Sequence, residues 1–190
     1  MPSPSRILVV AATARELGPA GDWDAVLCGV GPVDAAAATA AAIAQFRPAA
    51  IVHVGIAGGR RAAGIAPLSM VVGTESRYCD LAVPSSFAPA VLRGDATLLA
   101  AVQRAHPTVF ARPIGTSARV GGGVDCDVEA MEGFGVLRAA QLAGIPAVEV
   151  RCISNEVEER DRARWHFEAA FAALIEATPA IVAEVARCGR

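Results

Sequence analysis

Apolar residues in this chain fall into short, nearly unbroken runs, separated by stretches with helical spacing, and the alternation continues from end to end. Residues 6–12 (RILVVAA) and 147–153 (AVEVRCI) are rich in branched side chains, the pattern of strands buried on both faces. Residues 25–29 and 50–54 read as two more strands, and 68–74 as another, preceded by Pro67. Asp34 to Phe46 is an alanine-rich helix ended at Arg47 by Pro48, and Asp95 to Ala105 is a second helix. A third, from about Glu132, carries Val136, Leu137, Ala140, Leu142 and Ala143 on a broad face until Gly144 and Pro146 stop it. A long closing helix is expected from about Arg162 to Arg187, and residues 82–94 read as a loop excursion. Alternation without a linker predicts an α/β fold, a single domain over residues 1–190. Its central mixed, mostly parallel sheet would lie between helices in a three-layer αβα arrangement.

Composition narrows the partners. A chain of 190 residues buries roughly 70% of its unfolded surface in one core. With 54% apolar residues, it should also leave apolar surface to cover, so a homo-oligomer, dimer or tetramer, is expected. A net charge of −2 provides no basic face to track phosphates, which argues against a nucleic-acid partner. No segment reaches the ~18 uninterrupted apolar residues of a membrane span, and residues 1–12 lack the layout of a secretory signal. A cytoplasmic protein with no membrane partner is the expectation.

Five cysteines without a CxxC pair argue against a disulfide framework, and three histidines lie far apart without ligand spacing, so no metal is expected. His53, inside the run AAIVHVGIAGG, reads as a satisfied buried histidine. CGVGPVDA (Cys28–Ala35) has the look of a dinucleotide fingerprint, but Pro32 and Asp34 stand where GxGxxG cannot take them, so no cofactor is expected. No Gly-x-Ser-x-Gly elbow is present to build a serine hydrolase on.

The chemistry concentrates between Asp127 and Arg164. Glu129, Glu132, Arg151 and Asn155 are spaced so that a helix start and a strand end present them to one pocket, beyond the carboxyl end of a parallel strand. Glu149 and Arg151 interrupt an otherwise buried strand, where charges are tolerated when paired. A purely structural ion pair remains open for Arg151, a dipole-compensating cap for Glu132, and a strand-end cap for Asn155. VGIAGG (Val54–Gly59), following a buried strand, reads either as a tight turn or as a loop whose missing bulk lets a ligand lie against backbone.

Taken together, these segments resemble the nucleoside phosphorylase and nucleosidase superfamily nearly end to end. ILVVAATARE (Ile7–Glu16), CGVGPVDAAAAT, VGIAGG, TESRYCDLAV (Thr74–Val83), the Met-Glu of MEG (Met131–Gly133) and RCISN (Arg151–Asn155) occur in the superfamily's order. Within it, EAMEGFG, VEVR followed by SN, and RDRARW with Trp165 are similar to the futalosine hydrolases, nucleosidases of an alternative menaquinone pathway. The resemblance implies a nucleoside as small-molecule partner and hydrolysis of the N-glycosidic bond of futalosine to hypoxanthine and dehypoxanthine futalosine.

The resemblance makes Glu16 the base that activates water and Glu132 the acceptor of the ribose hydroxyls, counts Asn155 and Arg151 with them as catalytic residues, and makes Ala57, Gly58, Met131, Glu132 and Asn155 substrate contacts. Met131 reads equally well as core filler. Asn155 stands where adenine-releasing relatives carry an aspartate; an amide donates to a 6-oxo group and so favours hypoxanthine. Ile56 stands where adenosyl-type nucleosidases carry a serine, so water should be positioned by Glu16, Arg151 and backbone. Val120 is the candidate for stacking on the purine, and Arg160 and Arg162 are candidates for the substrate's carboxylate. Two other readings stay open: another purine nucleosidase or phosphorylase of the methylthioadenosine/adenosylhomocysteine type, and a catalytically silent nucleoside-binding protein.

Overall fold

Every side chain of β1 (Ile7–Ala11) is buried, and they divide between two cores, Ile7, Val9 and Ala11 on one face and Leu8 and Val10 on the other. A strand with this period of two and no polar residue needs cover on both faces and neighbours on both edges. The computed structural model, which describes residues 6–123 and 125–188, supplies both. After β1 come α1 (Ala14–Leu17), β2 (Asp24–Leu27), α2 (Pro32–Phe46), β3 (Ala50–Gly59), β4 (Met70–Tyr78), β5 (Val91–Arg93) and α3 (Ala96–Ala105). The second half adds β6 (Phe110–Thr116), β7 (Val128–Ala130), α4 (Gly133–Ala143), β8 (Ala147–Glu156) and α5 (Phe167–Cys188), with 3-10 turns at Arg61–Ala63 and Arg162–Arg164.

The sheet is mixed. β1 pairs in parallel with β2 and β3, and β3 in parallel with β8. It then closes on itself: β8 runs antiparallel to β4, β4 parallel to β6, β6 parallel to β7, and β7 antiparallel to β3. Ala57, Val71, Ile114, Val128 and Ile153, one from each strand of this ring, form a core of their own. Closure removes the free edges that these strands would otherwise expose. Outside the ring, α3 and α5 cover one face through Leu98, Val102, Leu174 and Ile181, while α2 and α4 cover the other through Ala35, Ala42, Val136 and Leu137. Helix α5 is long and apolar enough to cross a bilayer by length and composition alone, yet its inner face, from Ala170 to Val185, lies in the core.

Several expectations are corrected. VGIAGG is neither turn nor loop but the second half of β3, because β8 and β7 flank it with ladder hydrogen bonds. β4 continues to Tyr78, and residues 82–94 end in the short strand β5. The closing helix begins at Phe167, since Arg162–Arg164 forms a separate turn capped by Asp161. The apolar pattern gives no sign of α1, β6 or β7. In β6, Pro113 interrupts the reading, and it fits because the register with β4 skips Thr74 there, a bulge where a missing N–H is tolerated.

Helix α4 crosses α2 at Gly135, where a Cβ would stand 2.3 Å from the Pro32 carbonyl oxygen, a backbone atom that cannot swing aside. Gly135→Ala should lower the unfolding free energy by about 1–3 kcal/mol. The measurement is the denaturant midpoint, expected to fall at unchanged slope; a midpoint equal to wild type would mean that the two helices separate freely.

Candidate active site

The carboxyl ends of β1, β3 and β8 open onto one cleft with about 230 Å³ of room. Its walls include Glu16, Ala57, Gly58, Val120, Glu129, Met131, Glu132, Ser154 and Asn155, so residues separated by most of the chain meet in one place. Arg151, expected in the same pocket, does not line it.

Glu16 is placed by the turn after β1. Its Oε2 accepts from the Thr13 backbone N–H and hydroxyl, each at 2.9 Å, and its Oε1 from the Ile56 N–H at 3.1 Å. The residue with no hydroxyl at position 56 thus serves through its amide. Glu132 occupies the N-cap position of α4 but makes no side-chain cap hydrogen bond. Its Oε1 accepts from the Gly31 N–H at the start of α2 (3.2 Å) and its Oε2 from Arg151 Nη2 (3.3 Å). The glycine pair of CGVG therefore points an amide at a carboxylate rather than at a phosphate.

Arg151 lies beneath the cleft, fully buried. Nε donates to Glu149 Oε1 at 2.8 Å, Nη1 to the Ile56 carbonyl at 3.3 Å, and Nη2 reaches both Glu132 and His53 Nε2, the latter at 2.6 Å. Burial works against its charge, but Glu149 and Glu132 outweigh that and raise the guanidinium above its ordinary range. Burial, followed by Arg151, drives His53 well below its usual value. The ring is therefore neutral, with the Nδ1 proton assigned to the Val10 carbonyl at 3.0 Å and Nε2 left to accept from Arg151. Glu149 is pushed up by burial against the pull of Arg151, and its Oε2 has no partner among the described residues.

Missing side chains make space for this cluster. A Cβ on Gly55 would stand 2.1 Å from Arg151 Nη1, and one on Gly133 would stand 2.1 Å from Glu149 Oε2. So the small residue at 55, expected to admit a ligand, admits a guanidinium; only Ala57 and Gly58 of that segment face the cleft along with Ile56. Opposite Gly58 the β3–β8 register skips Ser154, and both Ser154 and Asn155 border the cleft, which a regular strand would send to opposite faces. Asn155 Oδ1 accepts from Ser154 Oγ at 2.9 Å and Nδ2 donates to the Glu156 carbonyl at 3.0 Å, leaving one donor and one acceptor site on the amide.

Glu129 reaches back to the loop before it, accepting from the N–H groups of Gly121 at 2.5 Å and Gly123 at 2.8 Å. Val120, half exposed on that loop, borders the cleft. Arg160 and Arg162 do not; the Arg162 guanidinium lies 5.6 Å from the centre of the Trp165 ring. Sequence reasoning missed the aromatic wall of Trp165, Phe167 and Phe171, with neighbouring ring centres 5.3 and 6.4 Å apart and the Arg15 guanidinium 4.6 Å above Phe171. The available signal was three aromatic residues within seven positions, in a chain only 5% aromatic.

Residues 24–120 match the family model of the phosphorylase superfamily. A futalosine hydrolase of Streptomyces coelicolor is 38% identical over 184 aligned residues, covering 82% of this chain and 76% of that protein. One of Acidothermus cellulolyticus is 34% identical over 183, covering 80% and 74%. The fold is shared with the 5'-methylthioadenosine/S-adenosylhomocysteine nucleosidase of Colwellia psychrerythraea, solved with adenine, at a TM-score of 0.83 and 20% identity over 96% of each chain. On its own sequence and its architecture, then, this chain belongs to the phosphorylase superfamily and, within it, to the futalosine hydrolase family.

Proposed function

We propose that the protein hydrolyses the N-glycosidic bond of futalosine, releasing hypoxanthine and leaving dehypoxanthine futalosine, a step of menaquinone biosynthesis, from one nucleosidase domain with a three-layer αβα frame. The observation that carries the reading is the convergence of Glu16 and Glu132 on a single cleft from opposite halves of the chain.

As the purine departs, positive charge builds on the ribose, and carboxylates fixed around the ring stabilise it without reorganising. Glu132, held from behind by Arg151 and Gly31, accepts from the ribose hydroxyls over the apolar floor of Met131. Glu16 takes the proton of the attacking water. Arg151 lies outside the cleft lining and acts as a positioning residue for Glu132. The spare donor on Asn155 serves the 6-oxo group of the leaving base.

Hydrolysis is favoured over phosphorolysis because the wall carries Glu16, Glu129 and Glu132 and, among the described residues, no arginine or lysine. A phosphate dianion would be repelled there. The exposed Val30, Val33 and Leu142 support assembly as a homo-oligomer, dimer or tetramer, and we place the enzyme in the cytoplasm.

Incubation with futalosine, inosine and methylthioadenosine, with and without phosphate, tests the reaction. Hypoxanthine and a free sugar from futalosine, at a rate indifferent to phosphate, are expected; a sugar phosphate, or adenine released as readily, would sink it. Glu16→Gln should lower kcat by about 10²–10⁴-fold while the denaturation midpoint stays near wild type; retained turnover would remove Glu16 from the mechanism. Asn155→Asp should shift the preference toward adenosine-like over inosine-like substrates by at least about tenfold, and an unchanged ratio of kcat/KM values would strip Asn155 of its role.

A further inference from the structure

Two thiols that the nucleosidase chemistry does not use face each other behind the cleft wall. Cys79 follows β4 and is half-buried; Cys126 precedes β7 and is buried. A Cβ on Gly115 of β6, the strand between them, would stand 3.0 Å from the Cys79 sulfur and 3.1 Å from the Cys126 sulfur. Both sulfurs therefore crowd the space of one missing methyl group, and the glycine leaves the line between them open.

Residues 117–123 and 125–127 are held at several points. Asp80, next to Cys79, accepts from Ser117 Oγ at 3.1 Å and the Ala118 N–H at 2.6 Å. Arg60, just past β3, donates to the carbonyls of Cys126 at 2.8 Å and Gly123 at 2.6 Å. Glu129, which lines the cleft, takes the N–H groups of Gly121 and Gly123. Moving Cys126 toward Cys79 pulls on the Arg60 clasp and on the amides that orient Glu129.

We propose that Cys79 and Cys126 form a reversible dithiol/disulfide site, oxidised by hydrogen peroxide, whose closure reshapes the loop that walls the nucleoside cleft. The Cys79 thiolate attacks a peroxide oxygen; an S–O bond forms, the O–O bond breaks, and hydroxide leaves to take up a proton. The Cys126 thiolate then attacks the Cys79 sulfur, forming the S–S bond as the S–O bond breaks and a second water departs. The two sulfurs together lose two electrons, both taken by the peroxide, and a dithiol reductant reverses the change by two exchanges. Burial raises the Cys79 thiol and pushes the Cys126 thiol up to about 11, so oxidation is slow at neutral pH and quickens as the solution becomes alkaline. Burial pushes Cys28 up to about 12 and Cys152 to about 11.

The test treats the full chain with hydrogen peroxide at neutral and mildly alkaline pH and reads it by mass spectrometry without reductant. Expected are the loss of two hydrogens per chain, one cross-linked peptide joining Cys79 to Cys126, faster formation at the higher pH, and full reversal by dithiothreitol. The oxidised protein should melt at a higher temperature, because the bond closes a long loop. KM for the nucleoside should rise by roughly tenfold, with kcat changed less. Cys79→Ser and Cys126→Ser should each abolish all of these responses while leaving unoxidised turnover unchanged. A cross-link through another cysteine, no cross-link at all, or oxidised Cys79→Ser behaving as oxidised wild type would overturn the proposal. The mass and melting readouts do not depend on which nucleoside is cleaved, so they stand apart from the success or failure of the activity assay.

Discussion

One buried guanidinium holds this molecule together at the point where fold and chemistry meet. Arg151 bonds to Glu149, Glu132, His53 and the Ile56 carbonyl, which tie β8, β3 and the start of α4 to one another. Stripping water from such charges is costly, and removing one partner leaves another stranded at a penalty of about 3–5 kcal/mol. Natural chains rarely accept that exposure for stability alone. Here the arrangement also aims Glu132 into the cleft from behind while keeping the cation itself out of it.

Accommodating that cluster required absent atoms elsewhere. Gly55 and Gly133 lie on different elements, yet each vacates the volume that one member of the Arg151–Glu149 pair fills. The strand ring completes the frame: its closure fixes β3 and β8 side by side, and the skipped residue Ser154 turns the end of β8 so that Asn155 reaches the same opening. Asn155 thus takes its place in the cleft from strand pairing, while Glu16 and Glu132 take theirs from the turn after β1 and the start of α4.

Much of this could be read from residue order. Strands such as β1 and β8 announce themselves because full burial leaves unbroken apolar runs, and α2 does so through alanine and its closing Arg47-Pro48. Glu16, Glu132 and Asn155 all border the cleft: Glu16 and Asn155 stand beside the ends of β1 and β8, which parallel pairing with β3 gathers on one side, whereas Glu132 arrives after β7, which runs antiparallel to β3. Arg151 was assigned to the same pocket, but spacing alone does not distinguish a side chain in the wall from one below it. β6 and β7 escaped notice because Pro113 and Gly115 break any periodicity and three residues of β7 are too few to show one. Their pairing is decided by partners far along the chain. The aromatic wall was hidden for a related reason: Trp165 and Phe171 belong to different local structures, and only tertiary packing brings them to one surface.

The contacts of Arg151 with His53 and Ile56 span 98 and 95 residues of sequence. During synthesis, β1 and β3 leave the ribosome long before the guanidinium that bonds to His53 and the Ile56 carbonyl exists. The polar groups of β3 therefore wait for their partner until β8 arrives, which makes enzymatic competence among the last properties the protein acquires and leaves any prematurely ended chain without the pin that would organise it.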